Sequence, residues 1–205
     1  MKLPAGIGLA GSLILGGWAG EADAADAEGR YGVRGVGLIT CALYRQQRQA
    51  KSAIPLMASA WIDGYLSGVN QHRAGTYDSL SFESTELLAA ILDRHCDRQP
   101  EDRLFPVMRR LLERLSEDRL REPSARREVV VGDKRVSLYV EVIARLQRRL
   151  AAGGHFQGDA DGRYTPETQA ALAAYPRSVR LDGTGFPDQL TLWRLFREPA
   201  AAGGP

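Results

Sequence analysis

The chain has 205 residues, with 27 Lys and Arg against 25 Asp and Glu, a net charge of +2 with neutral histidines. So near a balance gives no basis for nucleic-acid binding, and the length suits one or two small domains.

The N-terminus reads MKLPAGIGLAGSLILGGWAGEADAADA. Lys2 forms a short positive start, and Ala5 to Gly20 carry no charge. Ala22-Asp23-Ala24, or Ala25-Asp26-Ala27, offers small residues where a signal peptidase reads them. This layout predicts a secretory signal peptide over residues 1–24 and a periplasmic protein. The alternative is a membrane-spanning helix. It requires roughly 20 apolar residues, and this run is shorter and glycine-rich, so no membrane span is expected after cleavage. Gly6-x-Gly8-x-x-Gly11 matches a dinucleotide-binding pattern, but it follows no strand and lies inside the leader.

The two cysteines are Cys41 and Cys96. In an exported chain an even count points to a disulfide between them, with two reduced core thiols as the alternative. Pro55 can open a helix running to about Asn70. Along it, Ala60, Gly64 and Gly68 recur every fourth residue and would admit a close neighbour. Trp61 and Tyr65 lie on an adjacent stripe and read as core. Leu87, Leu88, Ile91, Leu92 and Cys96 fall at helical spacing, as do Leu104, Met108, Leu111, Leu112 and Leu115.

Ser116 to Glu128 is charged, interrupted by Pro123 and poor in residues to bury. It reads as a helix end followed by a linker, which predicts that the parts on either side unfold separately. Val129 to Val136 reads as a short hairpin turning at Gly132-Asp133. A helix then places Val142 or Ile143, Leu146 and Leu150 on one face, with Arg145, Arg148 and Arg149 largely off it, and Gly153-Gly154 stops it. Thr165 and Pro166 suit the cap and first position of another helix. A similar start recurs at Gly185-Phe186-Pro187-Asp188, leading to Leu190, Trp193 and Leu195.

Catalytic signatures are missing. There is no Gly-x-Ser-x-Gly, and His72, His95 and His155 are scattered without zinc-ligand spacing. No catalytic residue, metal or cofactor is expected; a pair of carboxylates brought together by folding is the one catalytic alternative left open.

The C-terminal residues resemble the peptidoglycan-binding type 1 domain of cell-wall hydrolases. The resemblance rests on Leu146-Gln147-x-x-Leu150, Gly154-His155-Phe156 and the turn Asp161-Gly162-Arg163-Tyr164-Thr165-Pro166-Glu167-Thr168. The alanine-rich helix Gln169 to Tyr175, the turn Leu181 to Gly185 and Thr191 to Leu195 complete it. Two positions depart: Pro176 stands where the family usually has Gln, and Arg180 where it usually has Gly. Proline there should end the helix near Tyr175. The resemblance implies peptidoglycan as partner. Carboxylates of its peptides seek guanidinium groups and helix N-terminal N–H groups. Phe156, Arg163 and Tyr164 are the foremost candidates for contact, with Asp161 and Thr168 from the same motif. Asp161 also suits a turn-shaping role. Tyr175 and Trp193 read as core.

The N-terminal part is similar to the HdeA-type family of small periplasmic helical proteins, some of them acid-stress chaperones. The similarity rests on Cys41, Trp61-Ile62-Asp63-Gly64-Tyr65, and Cys96 followed by Pro100. The whole is then expected to be mainly α. A disulfide-linked small helical domain (residues 31–116) and a charged linker (117–128) would precede a three-helix peptidoglycan-binding-like domain (129–198). The expected function is non-catalytic wall binding by the C-terminal module, with the N-terminal module meeting a periplasmic partner. Alternatives are an acid-stress holdase localised to the wall, and an accessory or regulator of a wall hydrolase.

Overall fold

The structure, a computed structural model, describes residues 25–175 and 183–197. The expected signal peptide and the departures Pro176 and Arg180 lie outside the described residues. Residues 25–32 belong to a unit of their own, in which Asp26 accepts backbone hydrogen bonds from Glu28 and Arg30 and closes a local turn.

The described residues from Val33 onward form one compact unit. Its N-terminal half holds α1 (Cys41–Gln49), α2 (Ile54–His72), α3 (Thr85–Arg98) and α4 (Leu104–Leu115). Thr40 and Ser84 cap α1 and α3 by accepting from the backbone N–H three residues on. The apolar stripes read in α3 and α4 face one core with Tyr44, Ala58 and Ile62. Cys41 and Cys96, both fully buried, are joined by a disulfide that ties α1 to α3. His95 sits 2.8 Å from the Asp102 carboxylate, which Arg110 also contacts at 2.9 Å.

Trp61 stacks on Tyr65 at 5.6 Å between ring centres, and the Phe105 edge meets both. The Trp61 indole N–H donates to the Arg34 carbonyl at 2.9 Å. Gly37 is required beneath this ring, because a Cβ there would lie 2.4 Å from it. The Ala60, Gly64 and Gly68 stripe behaves differently from the expectation. A Cβ on Gly64 or Gly68 would meet nothing within 4 Å. Helix α2 packs through Ala58 and Ile62 instead, which leaves Ala60 and Gly64 exposed.

The hairpin is longer than its apolar residues indicate. It comprises β1 (Arg126–Val131) and β2 (Lys134–Tyr139), paired antiparallel with Val129 opposite Val136. Gly132 takes φ +63° at the turn, a value that favours glycine. Three helices follow: α5 (Val140–Ala152), α6 (Pro166–Ala174) and α7 (Gln189–Arg197). Thr165 caps α6 and Pro166 opens it, and Tyr175 turns extended immediately before Pro176, as expected. Asp188 caps α7 by accepting from Thr191 N at 2.8 Å. The chain is therefore mainly helical, with one small two-stranded sheet among the described residues. None of the described helices is long and apolar enough to cross a membrane.

The charged segment after α4 buries more than its composition suggests. Leu120 is 1 % exposed and bridges to Asp78 in antiparallel fashion. Phe82 and Leu120, both N-terminal to the hairpin, belong to the core formed by the hairpin and α5–α7, and Trp193 of α7 packs on both cores. Polar groups cross the same seam. Gln189 accepts from Ser84 N at 2.8 Å and donates to the Phe82 carbonyl at 2.7 Å. Arg197 meets Glu83 at 2.7 Å and Asp118 at 3.0 Å, and donates to the Leu115 carbonyl.

Candidate functional site: the Asp-Gly turn on helix α5

The motif-bearing turn is organised by one buried amide. Gln147 lies on the α5 face that also carries Ile143, Leu146 and Leu150, and it is buried with them. Its Oε1 accepts from Gly162 N at 2.9 Å. Its Nε2 donates to the Arg163 carbonyl at 3.0 Å, with Thr168 Oγ1 at 3.2 Å and Asp161 Oδ1 at 3.3 Å. A buried amide is tolerated because both of its ends are satisfied. Gly162 passes so close to α5 that a Cβ would lie 2.7 Å from the Val140 carbonyl, and its φ of +74° favours glycine.

The remaining motif residues divide between framework and surface. Asp161 accepts from Arg163 N at 2.9 Å. That bond, the Gln147 amide and the nearby Arg163 guanidinium together hold its carboxyl below the usual range. Thr168 is fully buried, and its hydroxyl joins the Gln147 network. Tyr164 is half-buried, its hydroxyl donates to the Gly185 carbonyl, and burial pushes its pKa up. This bond couples the first turn to the second. Gly185 in turn presses on Gln169, whose carbonyl would lie 2.4 Å from an added Cβ. Phe156 is buried and packs over Gly158. Arg163 projects into solvent, with its side chain 84 % exposed and 3.7 Å from Asp161, which is itself 43 % exposed.

The structure thus brings Asp161, Arg163, Tyr164 and Thr168 into one turn, with Phe156 in the core beneath the module. Sequence reading recognised Gln147 only as part of a Leu-Gln pair. The available signal was its position four residues after Ile143, inside the apolar stripe. Replacing Gln147 by Leu should lower stability by about 1–3 kcal/mol, because Gly162 N–H and the Arg163 carbonyl lose their buried partner. Urea unfolding checks this, and an unchanged midpoint would count against the network.

No curated protein and no solved structure matches the chain. The family model described as a putative peptidoglycan binding domain matches residues 140–195. These residues run from the first of α5 into α7, so the three helices around the Gln147 network carry the sequence of a peptidoglycan-binding-type domain.

Proposed function

We propose that the chain is a non-catalytic, exported protein that binds bacterial cell-wall peptidoglycan through α5–α7, while its N-terminal helices meet a periplasmic partner. The observation that carries the wall-binding reading is the family match over residues 140–195. The non-catalytic reading is supported by the same match, since that family is described by binding. Export and a periplasmic location are supported by the leader layout and by the buried Cys41–Cys96 disulfide, a bond typical of oxidising compartments. The partner reading is supported by the outward face of α2, where Leu56 is 75 % exposed beside Met57.

Co-sedimentation of the full chain with purified sacculi tests the central claim. The chain should pellet with sacculi, and less so as salt rises, because part of the attraction is screened charge. Arg163→Ala should weaken pelleting by no more than about fivefold, since a contact so exposed to water contributes little. A chain that stays in the supernatant at every salt concentration would overturn the reading.

A further inference from the structure

The loop after α2 meets the segment after α4 at a short antiparallel bridge between Asp78 and Leu120. Tyr77 N and Asp78 N both donate to the Leu120 carbonyl, at 2.8 and 3.2 Å. Leu120 is buried, so Arg119 and Arg121 on either side of it point away from the core, as alternation along an extended segment requires.

Three arginines gather around the turn at Gly75. Arg119 Nε donates to the Gly75 carbonyl at 3.2 Å, and its Nη1 to the Ser116 carbonyl at 3.2 Å. A terminal nitrogen of Arg121 lies 3.7 Å from where a Cβ on Gly75 would stand. Arg73 caps the end of α2 two residues before that glycine, and Arg73 and Arg121 are both exposed. Among the described residues, no carboxylate forms an ion pair with any of the three. Asp118 pairs with Arg197 instead, and Glu141 with Arg145 and Arg148. Partial burial, and then the neighbouring Arg121 and Arg73, hold the Arg119 pKa below the usual arginine range, as crowded positive charges should.

An aromatic surface adjoins the cluster. Tyr77 is 43 % exposed, and its ring meets Tyr139 edge-on with 6.2 Å between centres. Arg126 lies over the Tyr139 ring, 4.0 Å from its centre, and donates to the Ser137 carbonyl.

Charge and shape select the ligand class. A carboxylate brings one negative charge. A phosphate monoester brings roughly two and accepts from several planar guanidinium forks at once, so it neutralises more of the crowded charge. The exposed Tyr77 ring supplies a flat amphipathic face that suits a sugar ring. We propose that Arg73, Arg119 and Arg121 bind the phosphate of a sugar phosphate, with Tyr77 covering the sugar. None of these residues lies within 140–195, so the site stands apart from the wall-binding reading.

The test is calorimetric titration of the full chain at low salt with glucose 1-phosphate, inorganic phosphate and glucose, beside flotation with phosphatidylglycerol vesicles. Glucose 1-phosphate should bind about fivefold more tightly than inorganic phosphate, the worth of one ring contact. Glucose should not bind. The double change Arg73→Gln with Arg121→Gln should weaken glucose 1-phosphate by about tenfold, since each exposed charged contact contributes only a few-fold. Its melting temperature should not fall, because both side chains are exposed. Glucose 1-phosphate should raise the melting temperature of the parent and not that of the double variant. Tyr77→Ser should bring glucose 1-phosphate down to the level of inorganic phosphate and leave inorganic phosphate unchanged. Undiminished binding by the double variant overturns the site. Equal binding of glucose 1-phosphate and inorganic phosphate by the parent reduces the cluster to a simple anion site and overturns the sugar assignment. No binding of glucose 1-phosphate overturns the proposal outright, and vesicle flotation that the double variant loses would then assign the cluster to a lipid surface.

Discussion

Arg197→Ala should destabilise the protein by about 3–5 kcal/mol, the usual cost of leaving one member of a buried ion pair alone. The Glu83 side chain is fully buried and the Arg197 side chain is 14 % exposed. Without Arg197, the Glu83 carboxylate retains, among the described residues, the Phe82 N–H at 3.3 Å. The reverse change, Glu83→Ala, should cost less. Arg197 would still hold Asp118 at 3.0 Å and the Leu115 carbonyl at 3.0 Å. The asymmetry is therefore part of the prediction. Urea unfolding followed by tryptophan fluorescence and by circular dichroism would read it. Trp61 reports on the first core and Trp193 on both, so the two probes should move together in one transition. That differs from the separate unfolding expected from the charged segment, because the seam holds Leu120, Phe82 and the Glu83–Arg197 pair in common surroundings. Two transitions, with only the second sensitive to Arg197→Ala, would restore the independent-module view.

Removing the disulfide should have a comparable effect. Cys41 and Cys96 are separated by 55 positions. Closing a loop of that size restricts the unfolded chain by about 4 kcal/mol in the chain-entropy account. The double change Cys41→Ala with Cys96→Ala should lower stability by that order. It should leave the helices in place at low temperature, since α1 also bonds to the 100–102 segment through Cys41 N and Ala42 N. Thiol titration of unfolded, unreduced protein made in an oxidising compartment should find no free thiol. Two free thiols, or a double variant as stable as the parent, would contradict the bond's role.

The legible parts of this fold are those whose cause is local. The stripe Leu104, Met108, Leu111 and Leu115 needs only helical spacing, and Thr165 with Pro166 needs only cap chemistry. The Asp-Gly turn was legible through Asp161, which bonds Arg163 N two residues on, whereas the fit of Gly162 against Val140 and Gln147 spans a longer stretch of chain. The seam was not legible, because its determinants look like surface residues in sequence. Glu83, Gln189 and Arg197 are polar, and their partners stand about a hundred positions away. Leu120 is a single apolar residue in a charged run, too little for any periodicity to register. The candidate turn was half legible: its members fall close together, but burial separates them, with Thr168 and Phe156 turned inward and Arg163 outward. The arginines of α5 were read as lying off the apolar face, which is where they are.

The reciprocal grip of the Gln189 side chain on Phe82 and Ser84 sets an order of assembly. A chain growing from its N-terminus presents the 82–84 backbone long before residue 189 exists. Until then the Ser84 N–H, the Phe82 carbonyl and the Glu83 carboxylate have no internal partners from α7, and water must serve them. Helix α7, made long after, therefore completes the part of the fold that emerges first. A product cut short before α7 would lack the Trp193 packing on the first core and expose an unfinished loop, a mark by which proteases could tell a truncated chain from a finished one.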